Sequence, residues 1–85
     1  MPSKTVVVGS SVGLHARPAA IISEAAGELD SEVTLAVAGE EPVDAASSLL
    51  IMTLGAACGD QIEVAGDNQA DVDAIADLVE KDLDA

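Results

Sequence analysis

The sequence predicts an α+β fold in which one antiparallel sheet carries its helices on one face. In some segments apolar and polar residues alternate, which is typical of strands with one buried face. In others the apolar residues recur every three or four positions, which is typical of amphipathic helices. The two kinds of segment occur in mixed order along the chain. The order is strand, helix, strand, strand, helix, strand, helix, with no linker and no internal repeat. The chain has 85 residues, of which 49% are hydrophobic and none aromatic, so we expect one small domain, residues 1–85, with an aliphatic core.

The first half of the chain predicts a strand, a helix and a hairpin. Residues 5–8 are all β-branched and end at a glycine, which predicts the first strand. Apolar residues at helical spacing predict a helix from about residue 16 to 28, and alternation predicts a strand over 31–37. Residues 42–44 are predicted to return beside that strand, at an edge of the sheet or in a bulge, because Pro42 cannot donate a ladder hydrogen bond.

The second half predicts a short helix, a strand and a longer helix. The short helix covers 47–54 and the strand covers 60–65. Asn68, with Asp71 three residues later, is typical of a capping box that begins the last helix. The apolar stripe of that helix comprises Val72, Ile75, Ala76, Val79 and Leu83.

The net charge of −13 excludes nucleic acid and anionic membrane surfaces as partners, because almost no cationic side chain is present to bind phosphates. The acidic residues are unevenly distributed: residues 1–23 and 45–59 contain none, whereas nine of the sixteen follow residue 59. We expect these two acid-free windows to adjoin in space as a partner-docking face, since they also contain polar residues and are not simply core. The acids of the last helix match no metal-binding pattern and indicate a solvated surface, so no metal site is expected.

Cysteine content and the beginning of the chain favour a cytoplasmic protein. The single Cys58 cannot form an internal disulfide, and we expect it to be a small buried hydrophobe. No charged-then-apolar leader precedes residues 6–8, and we expect no insertion into a membrane.

The segment from Gly13 to Ala19 carries the only His and the only Arg of the chain. Pro18 fits a first helical turn, which would place His15 at the helix entrance. There the free N–H groups of Ala16 and Arg17, the helix dipole and the Arg17 guanidinium would all favour an oxyanion. The same positive groups disfavour imidazolium, so His15 is predicted to be a neutral nucleophile that accepts and donates a phosphoryl group. The alternative is that His15 is an N-cap or linker residue without chemistry.

Two segments of the sequence together resemble a known family. Gly13-Leu14-His15-Ala16-Arg17-Pro18-Ala19 resembles the active-site signature of HPr, the histidine phosphocarrier of the phosphoenolpyruvate-dependent sugar phosphotransferase system. The segment from Asp44 to Ala56 is similar to the regulatory-serine helix of that family, at the family's separation. The resemblance covers essentially the whole chain and implies an open-faced sandwich of four strands under three helices.

The resemblance also implies partners and roles. His15 would receive a phosphoryl group on Nδ1 from phosphorylated Enzyme I and pass it to an Enzyme IIA histidine during sugar uptake, with Arg17 contacting that group. Such a carrier needs no cofactor and is not a stand-alone catalyst, because its partners supply the rest of the chemistry. Ser47 matches the serine that a dedicated kinase modifies in this family. Such a kinase, and a phosphatase that reverses the modification, would be further partners. The alternative for Ser47 is a plain helix N-cap, a position that Ala46 could also occupy.

The predicted docking face would use exposed apolar residues. The short helix carries more apolar residues than one buried stripe can hold, so we expect some to remain exposed beside His15. The predicted partner-binding residues are Ala20, Leu49, Leu50 and Met52. We expect the carrier to act as a monomer.

Two other classes of protein remain open from the sequence. A regulatory interaction module on the same fold would retain the apolar face but would not need His15. An acyl carrier protein is also small, acidic and cytosolic, and Leu29-Asp30-Ser31 loosely resembles its attachment site. However, Glu32 follows where that family has an apolar residue, and the strand patterns disagree with an all-helical bundle.

Overall fold

The computed structural model describes residues 2–81 and 83, and its elements follow the predicted order. Each predicted boundary lies within a few residues of the observed one, because alternation and helical spacing locate an element better than its ends. The bounds are β1 Ser3–Val7, α1 Ala16–Gly27, β2 Val33–Val37, β3 Val43–Asp44, α2 Ser48–Thr53, β4 Gln61–Gly66 and α3 Gln69–Glu80.

The described strands form one four-stranded sheet in the order β1-β4-β2-β3, with antiparallel neighbours. Val64 of β4 lies opposite Leu35 of β2, and Leu35 lies opposite Val43 of β3. The predicted hairpin of β2 and β3 is thus confirmed, with the strand that follows Pro42 at the edge. The predicted α+β open-faced sandwich is confirmed as well, and this sheet excludes the all-helical acyl carrier bundle.

One face of the sheet is buried beneath the helices and the other is open. On β4, Ile62 and Val64 are fully buried while Gln61 and Glu63 between them are exposed, as expected for a strand of period two. Each fully buried Val, Leu or Ile contributes roughly 1.5–3 kcal/mol through loss of apolar surface from water. The largest aliphatic side chains that are fully buried are Val8, Ile22, Leu35, Ile51, Ile62, Val64, Val72, Ile75 and Val79.

The predicted capping box of α3 is only half formed. The Asn68 side chain accepts hydrogen bonds from the backbone N–H groups of Ala70, at 2.9 Å, and Asp71, at 3.3 Å. The Asp71 carboxylate, however, accepts from the Ser31 hydroxyl at 2.6 Å. The Asp71 carboxylate therefore joins the first turn of α3 to the connection between α1 and β2. Local spacing cannot reveal this contact, because Ser31 and Asp71 are 40 residues apart in the chain.

The prediction that Cys58 is buried is wrong, because its side chain is exposed. Cys58 lies inside a tight turn closed by hydrogen bonds from Asp60 N–H to the Ala57 carbonyl, at 3.0 Å, and from Ala57 N–H to the Asp60 carboxylate, at 2.9 Å. A side chain at the tip of such a turn faces solvent.

None of the helices formed by the described residues combines the length and apolar character that crossing a bilayer requires. Within residues 2–81 and 83, no three His, Cys, Asp or Glu side chains converge so as to hold a metal ion.

Candidate functional site

His15 is the N-cap residue of α1, as its place before Pro18 predicts. Its backbone is extended, with φ −86° and ψ −165°, and its carbonyl accepts from Ala19 N–H at 2.9 Å. Its side chain makes no capping hydrogen bond, so the exposed imidazole is not committed to ending the helix. The position of an N-cap is therefore observed, but the side-chain function of one is not.

The first turn of α1 presents donors to the solvent in front of His15. Among the described residues, no backbone carbonyl accepts from the N–H groups of Ala16 and Arg17, which belong to the set a helix leaves unpaired at its start. Pro18 and Ala19 are buried, whereas Ala16 and Arg17 are exposed. The buried pair anchors the turn, and the exposed pair combines two amide donors, a guanidinium and the positive helix end.

The loop before His15 is fixed against the connection between α2 and β4. Gly13 has φ 77° and donates its N–H to the Ser10 carbonyl at 2.9 Å, while Leu14 N–H donates to the Ala56 carbonyl at 3.0 Å. A Cβ at position 13 would collide with the carbonyl oxygen of Ala56, so only glycine allows this approach. The direction from which His15 enters α1 is therefore defined by backbone contacts.

The two acid-free windows adjoin in space, as the charge distribution predicts. Leu14 of the first window bonds to Ala56 of the second, and α1 packs against α2. Together these windows contain the only His of the chain, several apolar side chains and no Asp or Glu.

Helix α2 buries one large side chain and exposes three others. Ile51 is fully buried, whereas Leu49, Leu50 and Met52 are 72%, 41% and 36% exposed. The expectation that some apolar residues of this helix stay exposed is confirmed. Ala20, the fourth predicted partner-binding residue, is exposed on α1.

Ser47 is the N-cap of α2, one of the two positions that the sequence left open. Its hydroxyl accepts from Leu50 N–H at 3.3 Å, and its carbonyl accepts from Ile51 N–H at 3.0 Å. The capping role is thus observed in the structure, and modification of Ser47 stays a prediction.

Ser10 is a residue of the site region that sequence reasoning missed. It belongs to the first acid-free window, but it is fully buried. Its hydroxyl donates to the Lys81 carbonyl at 3.3 Å and accepts from Leu83 N–H at 3.1 Å. No local pattern marks Ser10, because both partners lie more than seventy residues along the chain.

Comparison with known proteins agrees with this geometry. A family model described as "PTS HPr component phosphorylation site" matches residues 2–81. The chain belongs to the HPr family. The HPr phosphocarrier of Streptomyces coelicolor is 41% identical over 87 residues, covering 99% of this chain and 94% of that protein.

Further HPr proteins are similar in sequence and in fold. HPr of Treponema pallidum is 38% identical over 76 residues, covering 89% of this chain and 85% of that protein. The crystal structure of HPr-C-His from Thermoanaerobacter tengcongensis superimposes with a TM-score of 0.88 at 27% identity, covering 100% of this chain and 98% of that one. The resemblance found in the sequence is thereby confirmed, and the chain is a phosphocarrier-family member of the phosphotransferase system.

Proposed function

We propose that this HPr-family protein accepts a phosphoryl group on His15 from phosphorylated Enzyme I and donates it to Enzyme IIA components in sugar uptake. The observation that carries the proposal is the exposed imidazole of His15, which makes no capping hydrogen bond. It lies at the start of α1, beside the backbone N–H groups of Ala16 and Arg17 that no backbone carbonyl of the described residues accepts from. The family model, described by its phosphorylation site, supports the same role. The proposal includes a cytoplasmic location and a monomeric carrier that needs no cofactor.

Transfer to His15 follows from the charges at the helix entrance. The neutral ring attacks the phosphorus with the lone pair of Nδ1, and the bond from phosphorus to the donor breaks. The phosphoryl oxygens then face the amides of Ala16 and Arg17 and come within reach of the Arg17 guanidinium, whose planar fork suits two oxygens of one phosphate. These groups stabilise charge in the transition state and in the phosphohistidine alike, so the step remains reversible and the group can be passed on.

The partner enzymes are proposed to dock on a surface formed by Ala20, Leu49, Leu50 and Met52, hereafter the docking surface. All four residues are exposed. The chain from α2 returns to Ala56, which contacts Leu14 one residue before His15. Apolar anchors surrounded by polar groups are typical of transient interfaces, in which a few residues supply most of the affinity.

Intact mass spectrometry tests the carrier role directly. After incubation with phosphoenolpyruvate and Enzyme I, the wild type is expected to gain one phosphoryl group that acid removes, and His15→Ala is expected to gain none. The circular dichroism spectrum of the variant must match the wild type, and the Enzyme I must be shown competent on another HPr. A wild-type chain that gains nothing under those conditions would leave the regulatory interaction module as the better interpretation.

Ser47 is proposed as a regulatory phosphorylation site for a serine kinase and phosphatase. A phosphate on Ser47 would be stabilised by the positive N-terminal end of α2, which it would face. It would also add negative charge next to Leu49 and Leu50 of the docking surface. We expect Ser47→Asp to retain the helix N-cap and to raise the KM of Enzyme I for this chain. Ser47→Ala should instead lower the free energy of unfolding by about 1 kcal/mol and leave KM unchanged. Equal KM values for the two variants would contradict a regulatory effect of charge at this position.

A further inference from the structure

Ser10 is the one buried polar side chain among the described residues, and its hydroxyl both donates and accepts a hydrogen bond. It donates to the Lys81 carbonyl at 3.3 Å and accepts from Leu83 N–H at 3.1 Å. A hydroxyl buried without partners would cost free energy, whereas here one hydroxyl satisfies a donor and an acceptor of the chain that follows α3.

The residue before Ser10 reinforces the same contact. Gly9 N–H donates to the Val79 carbonyl at 3.0 Å, and a Cβ at position 9 would collide with the Glu80 carbonyl. Gly9 and Ser10 thus hold the end of α3 through three hydrogen bonds, which we call the α3 clasp. Its members are the bonds to Val79, Lys81 and Leu83.

Ser10 also begins the turn that leads to His15. Its carbonyl accepts from Gly13 N–H at 2.9 Å, so one residue carries the clasp on its side chain and the turn on its backbone. Ser11 and Val12 between them are exposed and are therefore poorly placed to hold the turn. The loop before His15 is consequently fixed at two points, by the α3 clasp at Ser10 and by the Leu14 bond to Ala56.

We propose that Ser10 is a positioning residue for phosphoryl transfer, acting through the α3 clasp on the turn that sets His15 at the helix entrance. This proposal rests on the proposed function of His15. Because Ser10 is buried, it can touch neither the phosphoryl group nor a partner enzyme. Loss of the Ser10 hydroxyl should therefore lower the kcat of phosphoryl transfer from Enzyme I to His15. The KM of Enzyme I for this chain should stay unchanged, since a small displacement of a reacting group lowers the rate more than the affinity.

The first experiment compares Ser10→Ala with Ser23→Ala. Ser23 is the matched control because its hydroxyl also donates to a backbone carbonyl, that of Ala20 at 3.1 Å, but on α1 itself and not in the clasp. We expect Ser10→Ala to lower kcat about 10-fold with KM within about 2-fold, while the phosphoryl group still adds to His15. Amide hydrogen exchange at Gly13 should accelerate in this variant, while exchange within β4 stays at the wild-type rate.

The second experiment breaks the clasp from its other side. Leu83→Pro removes the N–H that donates to the Ser10 hydroxyl, and Leu83→Ala keeps it and serves as the control. We expect Leu83→Pro to reproduce the loss of kcat and the faster exchange of Gly13. The double variant with Ser10→Ala should show little further loss, because both changes act on the same contact. This pair keeps the test informative if Ser10→Ala alone folds poorly.

Two outcomes would overturn the inference, and they are distinguishable. Wild-type kcat in both Ser10→Ala and Leu83→Pro, with lowered stability only, would show that the clasp is structural and would leave the carrier role intact. A wild-type chain that accepts no phosphoryl group would refute the carrier role itself and the positioning role with it, whatever the exchange of Gly13 shows.

Discussion

Gly13 is the residue on which the approach to His15 depends most directly. It combines a left-handed backbone, φ 77°, with a position at which a Cβ would collide with the Ala56 carbonyl oxygen. Gly39 has φ 84°, but a Cβ there would meet open space. Substitution of Gly39 therefore measures the cost of placing a side chain in the left-handed conformation alone. Substitution of Gly13 measures that cost together with the cost of the collision.

We expect Gly13→Ala to lower the free energy of unfolding by about 3 kcal/mol or more, because the new methyl group meets backbone that cannot move aside cheaply. Gly39→Ala should cost only about 1 kcal/mol for the left-handed conformation. Urea unfolding followed by circular dichroism measures both, since the chain has no aromatic residue to report by fluorescence. Equal losses at the two positions would show that the contact with Ala56 is unimportant.

At the scale of elements, α2 has two unlike faces. Ile51 is fully buried and Leu49 is 72% exposed, although both are large aliphatic residues two positions apart. The exposed face loses apolar surface from water only when a partner covers it. The helix therefore contributes to stability through Ile51 and is proposed to contribute to binding through Leu49.

We expect Leu49→Gln to raise the KM of Enzyme I for this chain roughly 3- to 10-fold, because an apolar anchor of the docking surface is lost. The free energy of unfolding should change by less than about 0.5 kcal/mol, since the side chain is already exposed. Ala74→Gln, at an exposed position of α3, is the matched control and should leave both quantities unchanged. A normal KM in Leu49→Gln would remove this residue from the docking surface.

Most elements could be predicted from the sequence because their signals are local. Alternation of Ile62 and Val64 with Gln61 and Glu63 is sufficient to identify a strand and its buried face. The order of strands in the sheet and the surroundings of Ser10 depend on contacts between distant segments, and no window of neighbouring residues contains them.

The same division applies to the candidate site. The placement of His15 before Arg17 and Pro18 predicted the helix entrance, because N-terminal helix chemistry is encoded within a few residues. The exposure of Cys58 could not be predicted from composition, since it depends on the turn that Asp60 closes.

At the scale of the whole molecule, charge is strongly unbalanced. Sixteen acidic residues face three basic ones in a chain of 85 residues. The acid-free windows meet near His15, and the described carboxylates outside them include those of Asp77 and Glu80, which are exposed on α3. Repulsion between these carboxylates opposes the compact state.

We expect stability to increase with salt for this reason. At about 0.15 M ionic strength repulsion is screened over about 8 Å, and at 1 M over about 3 Å, so added salt relieves the folded state more than the expanded chain. The midpoint of urea unfolding should therefore be higher in 1 M than in 0.05 M sodium chloride. A midpoint that falls or stays constant would show that the carboxylates are too far apart in the fold to repel one another appreciably. The same titration should change the midpoint less in a variant that replaces Asp73 and Asp77 with Asn, because two of the charges on α3 are then absent.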